Sequence, residues 1–156
     1  MINTENNLDW LAAKYAQDVI QFSEHNESQD VENTVTKSLG VLQENGVYAC
    51  FLYILAKEVK KKPSDGNKKN EQRSTGEVLV EHMLNLLDSL NIGWGRPNSY
   101  EAKDVLSFIV SNEEITLEQL LLTKETLEQM LIYARYGAKA RPEKLDNKPK
   151  DKQEET

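Results

Sequence analysis

The chain predicts an all-α protein, a compact single-domain bundle of about five to six helices followed by a disordered, charged tail. Three observations carry that expectation. Apolar residues recur at three- and four-residue spacing through most of the chain, and two capping patterns led by serine or threonine precede such runs. An Asn45-Gly46 break also stands directly before ten unbroken apolar residues, 47–56. A chain of 156 residues has the length of one domain and can support a core without metal or disulfide. The expected division is a bundle over residues 1–141 and a tail over residues 142–156, whose charge-rich composition offers little to bury.

The first helix is written by Leu8, Leu11, Ala12, Tyr15, Val19 and Phe22, which share one stripe, with Asn7 placed to cap it. A polar stretch over 23–30 interrupts the pattern. Val31, Val35, Leu39 and Leu42 resume it in a second helix, weakened by Gly40 and ended at Gly46, whose lack of a Cβ permits the positive φ of a helix stop. Residues 47–60 read as a buried central helix, whose ten-residue run 47–56 is apolar on every side and too short to cross a bilayer. Lys57, Lys60, Lys61 and Lys62 fall where the macrodipole favours cations, and Pro63 is the expected stop. Residues 63–73 have almost nothing to bury and read as an exposed loop.

Ser74 and Glu77 have capping-box spacing ahead of the stripe Leu79, Met83, Leu86, Leu87 and Leu90. Gly93, Gly95 and Pro97 around Trp94 make residues 91–98 a connection pinned by one aromatic, after which Ser99 can cap the next helix. Residues 104–110 (DVLSFIV) are rich in β-branched side chains, but no partner strand is visible and the flanks are helical, so they are expected to be helix. Thr116 and Gln119 form another capping pattern. The last helix is expected from about Thr123, burying Leu127, Met130, Leu131, Ala134 and Ala138 and ending before Pro142.

The lone Cys50 lies inside the apolar run and has no second cysteine to pair with, which suits a reducing compartment. No basic n-region with an apolar h-region opens the chain, and no run is long enough for a membrane helix, so a cytoplasmic protein without membrane contact is expected. A formal charge of -7 argues against attraction of the whole surface to nucleic acid. The charge is uneven, however: residues 1–32 carry a net -6, residues 57–73 a net +4, and Arg135, Lys139 and Arg141 cluster with no acid between them.

No constellation of acid, base and nucleophile stands out, so no catalytic residue, metal or cofactor is expected. Glu113, Glu114, Glu118, Glu125 and Glu128 offer carboxylates for an all-helical, magnesium-dependent nucleotide pyrophosphohydrolase, but their spacing equally fits solvated helix faces. Neither His25 nor His82 completes a Glu-x-x-His motif. Arg135 and Lys139 lie four apart on one helix face, which fits a phosphate track or pairing with acids inside the protein. Tyr133 and Tyr136 are placed to stack on bases or to complete a core.

Four segments carry a family resemblance: Ala13-Lys14-Tyr15-Ala16 followed by Val19, residues 39–47, residues 51–57, and residues 123–139 (TKETLEQMLIYARYGAK). Together they resemble the small helical subunit of type III-B CRISPR effector complexes, the Cmr complex, over most of residues 8–141. The resemblance implies a noncatalytic, all-helical protein that stacks in copies along a ribonucleoprotein filament, beside paired guide and target RNA. Its partners would be backbone and other subunits of that assembly. The positions matching the family's RNA contacts are Lys57, Arg135 and Lys139. Charge alone adds Lys60, Lys61, Lys62, Lys68, Lys69, Arg73 and Arg141, since a lysine-rich loop can neutralise phosphates without reading bases. The rival expectation is a helical adaptor that binds only protein.

Overall fold

The computed structural model describes residues 7–59 and 73–142, and the described chain is helical with no strand. Six α-helices follow in order: α1 Leu8–Phe22, α2 Ser28–Asn45, α3 Val47–Tyr53, α4 Thr75–Ser89, α5 Ala102–Ser111 and α6 Leu117–Ala140. A π-helix, Ile54–Glu58, continues α3 directly. The expected all-α bundle is therefore what forms, and residues 102–111 are helix despite their β-branched side chains.

Local chemistry sets most of the boundaries. Asn7 accepts the backbone N–H of Trp10 at 2.9 Å and starts α1. Ser74 with Glu77 and Thr116 with Gln119 each form a complete capping box, ahead of α4 and α6. Such caps each contribute about 1 kcal/mol by satisfying N–H groups that a helix end leaves bare. Gly46, at φ +99, ends α2 and lets α3 leave in a new direction.

The long helix α6 packs along both α1 and α2, α1 also packs on α4, and α3 sits on α2 and α5. The stripes expected for α2, α4 and α6 are buried: Val31, Val35 and Leu42 on α2, Leu79, Met83, Leu86 and Leu87 on α4, and Leu127, Met130, Leu131, Ala134 and Ala138 on α6 are all fully inaccessible, whereas Phe22, expected on the α1 stripe, is 51 % exposed at the end of that helix. Trp94 pins the α4–α5 connection by donating its indole N–H to Thr123 Oγ1 at 2.9 Å.

Five expectations need correction. The helix after Gly46 is not apolar inward on all sides, because Tyr48 and Leu52, four apart, are each 42 % exposed. The most enveloped element is α4, with ten of its fifteen residues buried. The chain leaves the helix at Val59, which is extended at φ -100 and ψ 122, so helix ends before Pro63 is reached. The second helix starts inside the polar stretch, at Ser28. The N-cap of α5 is Glu101, with Ser99 set back to accept its N–H and to donate to Asp104. Finally, α6 starts at Leu117, because the Thr116 box and the expected last helix are one element.

The π-helix is held by two devices. The Glu58 carboxylate accepts hydrogen bonds from Thr34 Oγ1 at 2.9 Å and from the Tyr53 hydroxyl at 2.5 Å. On its other side Gly76 of α4 comes so close that a Cβ there would stand 2.6 Å from the Glu58 carbonyl carbon and nearer still to its oxygen. Only glycine admits that approach.

Candidate functional site

Lys60, Lys61, Lys62, Lys68 and Lys69 lie outside the described residues, as does the tail beyond Pro142. The other five cationic candidates gather around the α1–α2 turn and the first half of α2. Lys57, exposed at the end of the π-helix, shares a polar cleft of about 340 Å³ with Asn26, Asp30, Asn33 and Lys37. Arg141 lies across the turn itself, donating to Ser28 Oγ at 3.0 Å, to the Ser23 carbonyl at 3.1 Å and to the Asn26 carbonyl. The Arg73 carbonyl accepts from His25 Nε2 at 2.8 Å and from Asn26 Nδ2, while its guanidinium pairs with Glu81.

The pair on α6 meets α2 from its other flank. Lys139 pairs with Glu32 at 3.4 Å, and Lys124 reaches the Gln43 carbonyl at 3.4 Å, so α6 runs antiparallel beside α2. Helical periodicity puts Arg135, one turn before Lys139, on the same flank. Its Nε is buried without a hydrogen-bond partner, and its guanidinium carbon lies 5.9 Å from the Tyr136 ring. Lys57 and the Arg135 and Lys139 pair thus border opposite edges of one exposed ridge of α2, which carries Asn33, Thr36 and Lys37. Lys37 was not singled out by the sequence. Its signal is its place two helical turns before Glu44 on the exposed side of α2, legible only once the buried stripe is fixed.

Charge on this ridge is mixed. Glu27, Asp30 and Glu32 sit among the cations, so the acidic front of the chain and the basic residues share a surface. Arg73, Lys139 and Arg141 are held by protein groups, whereas Lys37 and Lys57 form no salt bridge among the described residues. Of the two tyrosines, Tyr133 donates its hydroxyl to Asp9, a bond that raises its pKa, and Tyr136 remains 60 % exposed. Tyr136 beside Arg135 is therefore the ring free to stack on a base.

The carboxylates weighed for metal chemistry do not converge. Glu118, Glu125 and Glu128 border a shallow depression shared with Lys124, and no group of three or more His, Cys, Asp or Glu among the described residues is arranged to hold a metal. His82 is buried, with Nδ1 2.9 Å from the Val78 carbonyl and its ring stacked on Phe22 at 5.4 Å. Burial pushes the Cys50 thiol up to about 12, so this cysteine stays a protonated, inert part of the core. No helix among the described residues is long and apolar enough to cross a membrane.

A scan against protein-family models finds no match to this chain, and a search of curated proteins finds none either.

Proposed function

We propose that the chain is a noncatalytic structural subunit of a type III-B CRISPR effector complex, packing against backbone subunits and against copies of itself beside guide and target RNA. The observation that carries this reading is the difference between the two ends of one bundle. Along the first half of α2 lie Lys57, Arg135, Tyr136 and Lys139, with Lys37 at the helix middle, cations and an exposed ring that can meet a nucleic-acid backbone although Asp30 and Glu32 stand among them. The apolar side chains around Gly46 lie at the other end of α2, about 20 Å along the helix axis from Glu32, which pairs with Lys139, and about 12 Å from Lys37. A subunit that contacts RNA at one place and protein at another needs surfaces so separated. The all-helical fold and the helix stop at Gly46 agree with what the family resemblance implies.

A protein-only adaptor is the second reading, and the internal bonds of Arg73, Lys139 and Arg141 favour it. Purification of the tagged chain from its own cell separates the two. A short guide RNA and a repeated backbone protein in the eluate support the effector reading, whereas a protein partner without nucleic acid supports the adaptor. Within the purified assembly, Lys57→Ala, Arg135→Ala and Lys139→Ala together should weaken RNA binding with little change in sequence preference. Every phosphate that no longer meets a cation should flatten the log–log salt slope by about 0.7–1. An unchanged affinity and slope would remove RNA contact from the proposal.

A further inference from the structure

Apart from the α2 ridge, the described residues expose an apolar surface beside Gly46. Of the ten large hydrophobic side chains that are well exposed among the described residues, six belong to α3, the end of α5 and the start of α6, which makes a face of them and not a scatter. Tyr48, Val110 and Leu120 line a groove of about 360 Å³ whose floor includes Ile109 and Ile115. Leu52 lies one turn beyond Tyr48, and Leu117 and Leu121 flank Leu120 on α6, with Leu117 70 % and Val110 65 % exposed. The groove falls at the small end of the size range of ligand clefts and is lined as the anchoring pocket of a protein interface would be.

The border of this face is predominantly acidic. Residues 44–56 and 102–124, which build it, carry Glu44, Asp104, Glu113, Glu114 and Glu118 against Lys103 and Lys124. Lys124 directs its ammonium to the Gln43 carbonyl, beside Glu44. Two copies joined through this same face would set carboxylates against carboxylates, so the charge disfavours a twofold pair. We infer that the face docks a segment of a different protein subunit that presents apolar side chains bordered by lysine or arginine. One aliphatic or aromatic side chain of that segment fills the groove beside Gly46 while its cations meet Glu44, Glu113, Glu114 and Glu118. The inference deepens the subunit reading and rests on it.

The test uses the full chain and two labelled amphipathic helical peptides with the same leucine stripe, one flanked by lysines and one by glutamates, followed by fluorescence anisotropy. The lysine peptide should bind and weaken with added salt, and the glutamate peptide should not bind. Val110→Asp or Leu117→Asp should weaken the lysine peptide by about tenfold or more. Both positions are largely solvent-exposed, so thermal unfolding should stay in place, and Tyr136→Asp at the far end should leave peptide binding unaltered. Equal binding of the two peptides, or wild-type binding by Val110→Asp and Leu117→Asp, would overturn the inference. So would a wild-type dimer in sedimentation that Val110→Asp dissociates, since the occupant would then be a second copy. RNA binding is read at Lys57, Arg135 and Lys139, so failure at the apolar face leaves that measurement intact and the reverse holds as well.

Discussion

Replacing Gly76 by alanine probes the contact that holds the π-helix in place. The added Cβ would lie 2.6 Å from the carbonyl carbon of Glu58 and 2.9 Å from its Cβ, and the nearest obstruction is backbone, which cannot swing aside as a side chain can. Overfilling a close-packed site costs about 1–3 kcal/mol, and a backbone obstruction calls for the upper part of that range. Alanine returns at most about 1 kcal/mol through its better helix propensity. The net destabilisation is about 2 kcal/mol, which for a chain of this size lowers Tm by roughly 4–8 °C. Gly40→Ala supplies the contrast, because a Cβ in the middle of α2 would meet nothing within 4 Å. That change should stabilise by about 0.5–1 kcal/mol and raise Tm by roughly 1–4 °C. Thermal unfolding followed by circular dichroism reads both, and amide exchange should quicken over Ile54–Glu58 in Gly76→Ala alone. A Gly76→Ala protein as stable as the wild type would refute the close approach of α4 to the π-helix.

Three other perturbations test separate contacts. Burial, the hydrogen bond to Glu58 and that carboxylate's charge push Tyr53 from 10.0 up to about 12. Its phenol is harder to deprotonate folded than unfolded, so its stabilisation is whole below about pH 10 and is lost as pH climbs toward 12. Tyr53→Phe should cost about 1 kcal/mol at neutral pH and flatten the alkaline fall in stability, and an equally steep fall would count against the assignment. Arg141→Ala should cost about 2 kcal/mol and speed exchange in the turn at 23–28, because it removes charge-assisted bonds to two carbonyls and Ser28. Weaker RNA binding with no loss of stability would instead mean that Arg141 is free to meet RNA. Thr123→Val should strand the buried indole N–H of Trp94, costing about 1–3 kcal/mol and exposing that proton to faster exchange by NMR, and an unchanged exchange rate would dismiss the pin.

The helices were legible because their signals are local. A cap acts over three residues and a stripe over four, so Asn7, Ser74 with Glu77, and Thr116 with Gln119 could be read where they stand. The errors arose where one residue type serves two purposes. Thr123 looked like a helix start, yet it is buried inside α6, where its hydroxyl bonds both Trp94 and the Gln119 carbonyl. Residues 47–56 contain no charged or amide side chain to mark an outward side, and tyrosine suits core and surface alike, so an exposed stripe at Tyr48 and Leu52 could not be told from core. The absence of polarity on a solvent-facing turn was itself the trace of the apolar face.

The cationic site was harder to read because a charge count does not show where each charge is spent. Lys139 meets Glu32, more than a hundred positions earlier in the chain, and Arg141 uses its guanidinium on carbonyls that have no charge to count. A net charge over residues 57–73 takes no account of such bonds. What RNA can use is the cation still facing water. On the α2 ridge those are Lys57, which the sequence marked, and Lys37, which it did not, while Lys103 on α5 is likewise exposed and without a salt bridge among the described residues. Arg135 is intermediate, since its Nε is buried but its guanidinium edge lies against the exposed Tyr136 ring. If phosphates bind here they must either settle between Lys37 and Lys57 or displace Glu32 from Lys139. The second route predicts that Glu32→Gln, which frees that ammonium, tightens RNA binding while Lys139→Ala weakens it. Binding that ignores both changes would confine the contact to the edge of α2 that bears Lys57.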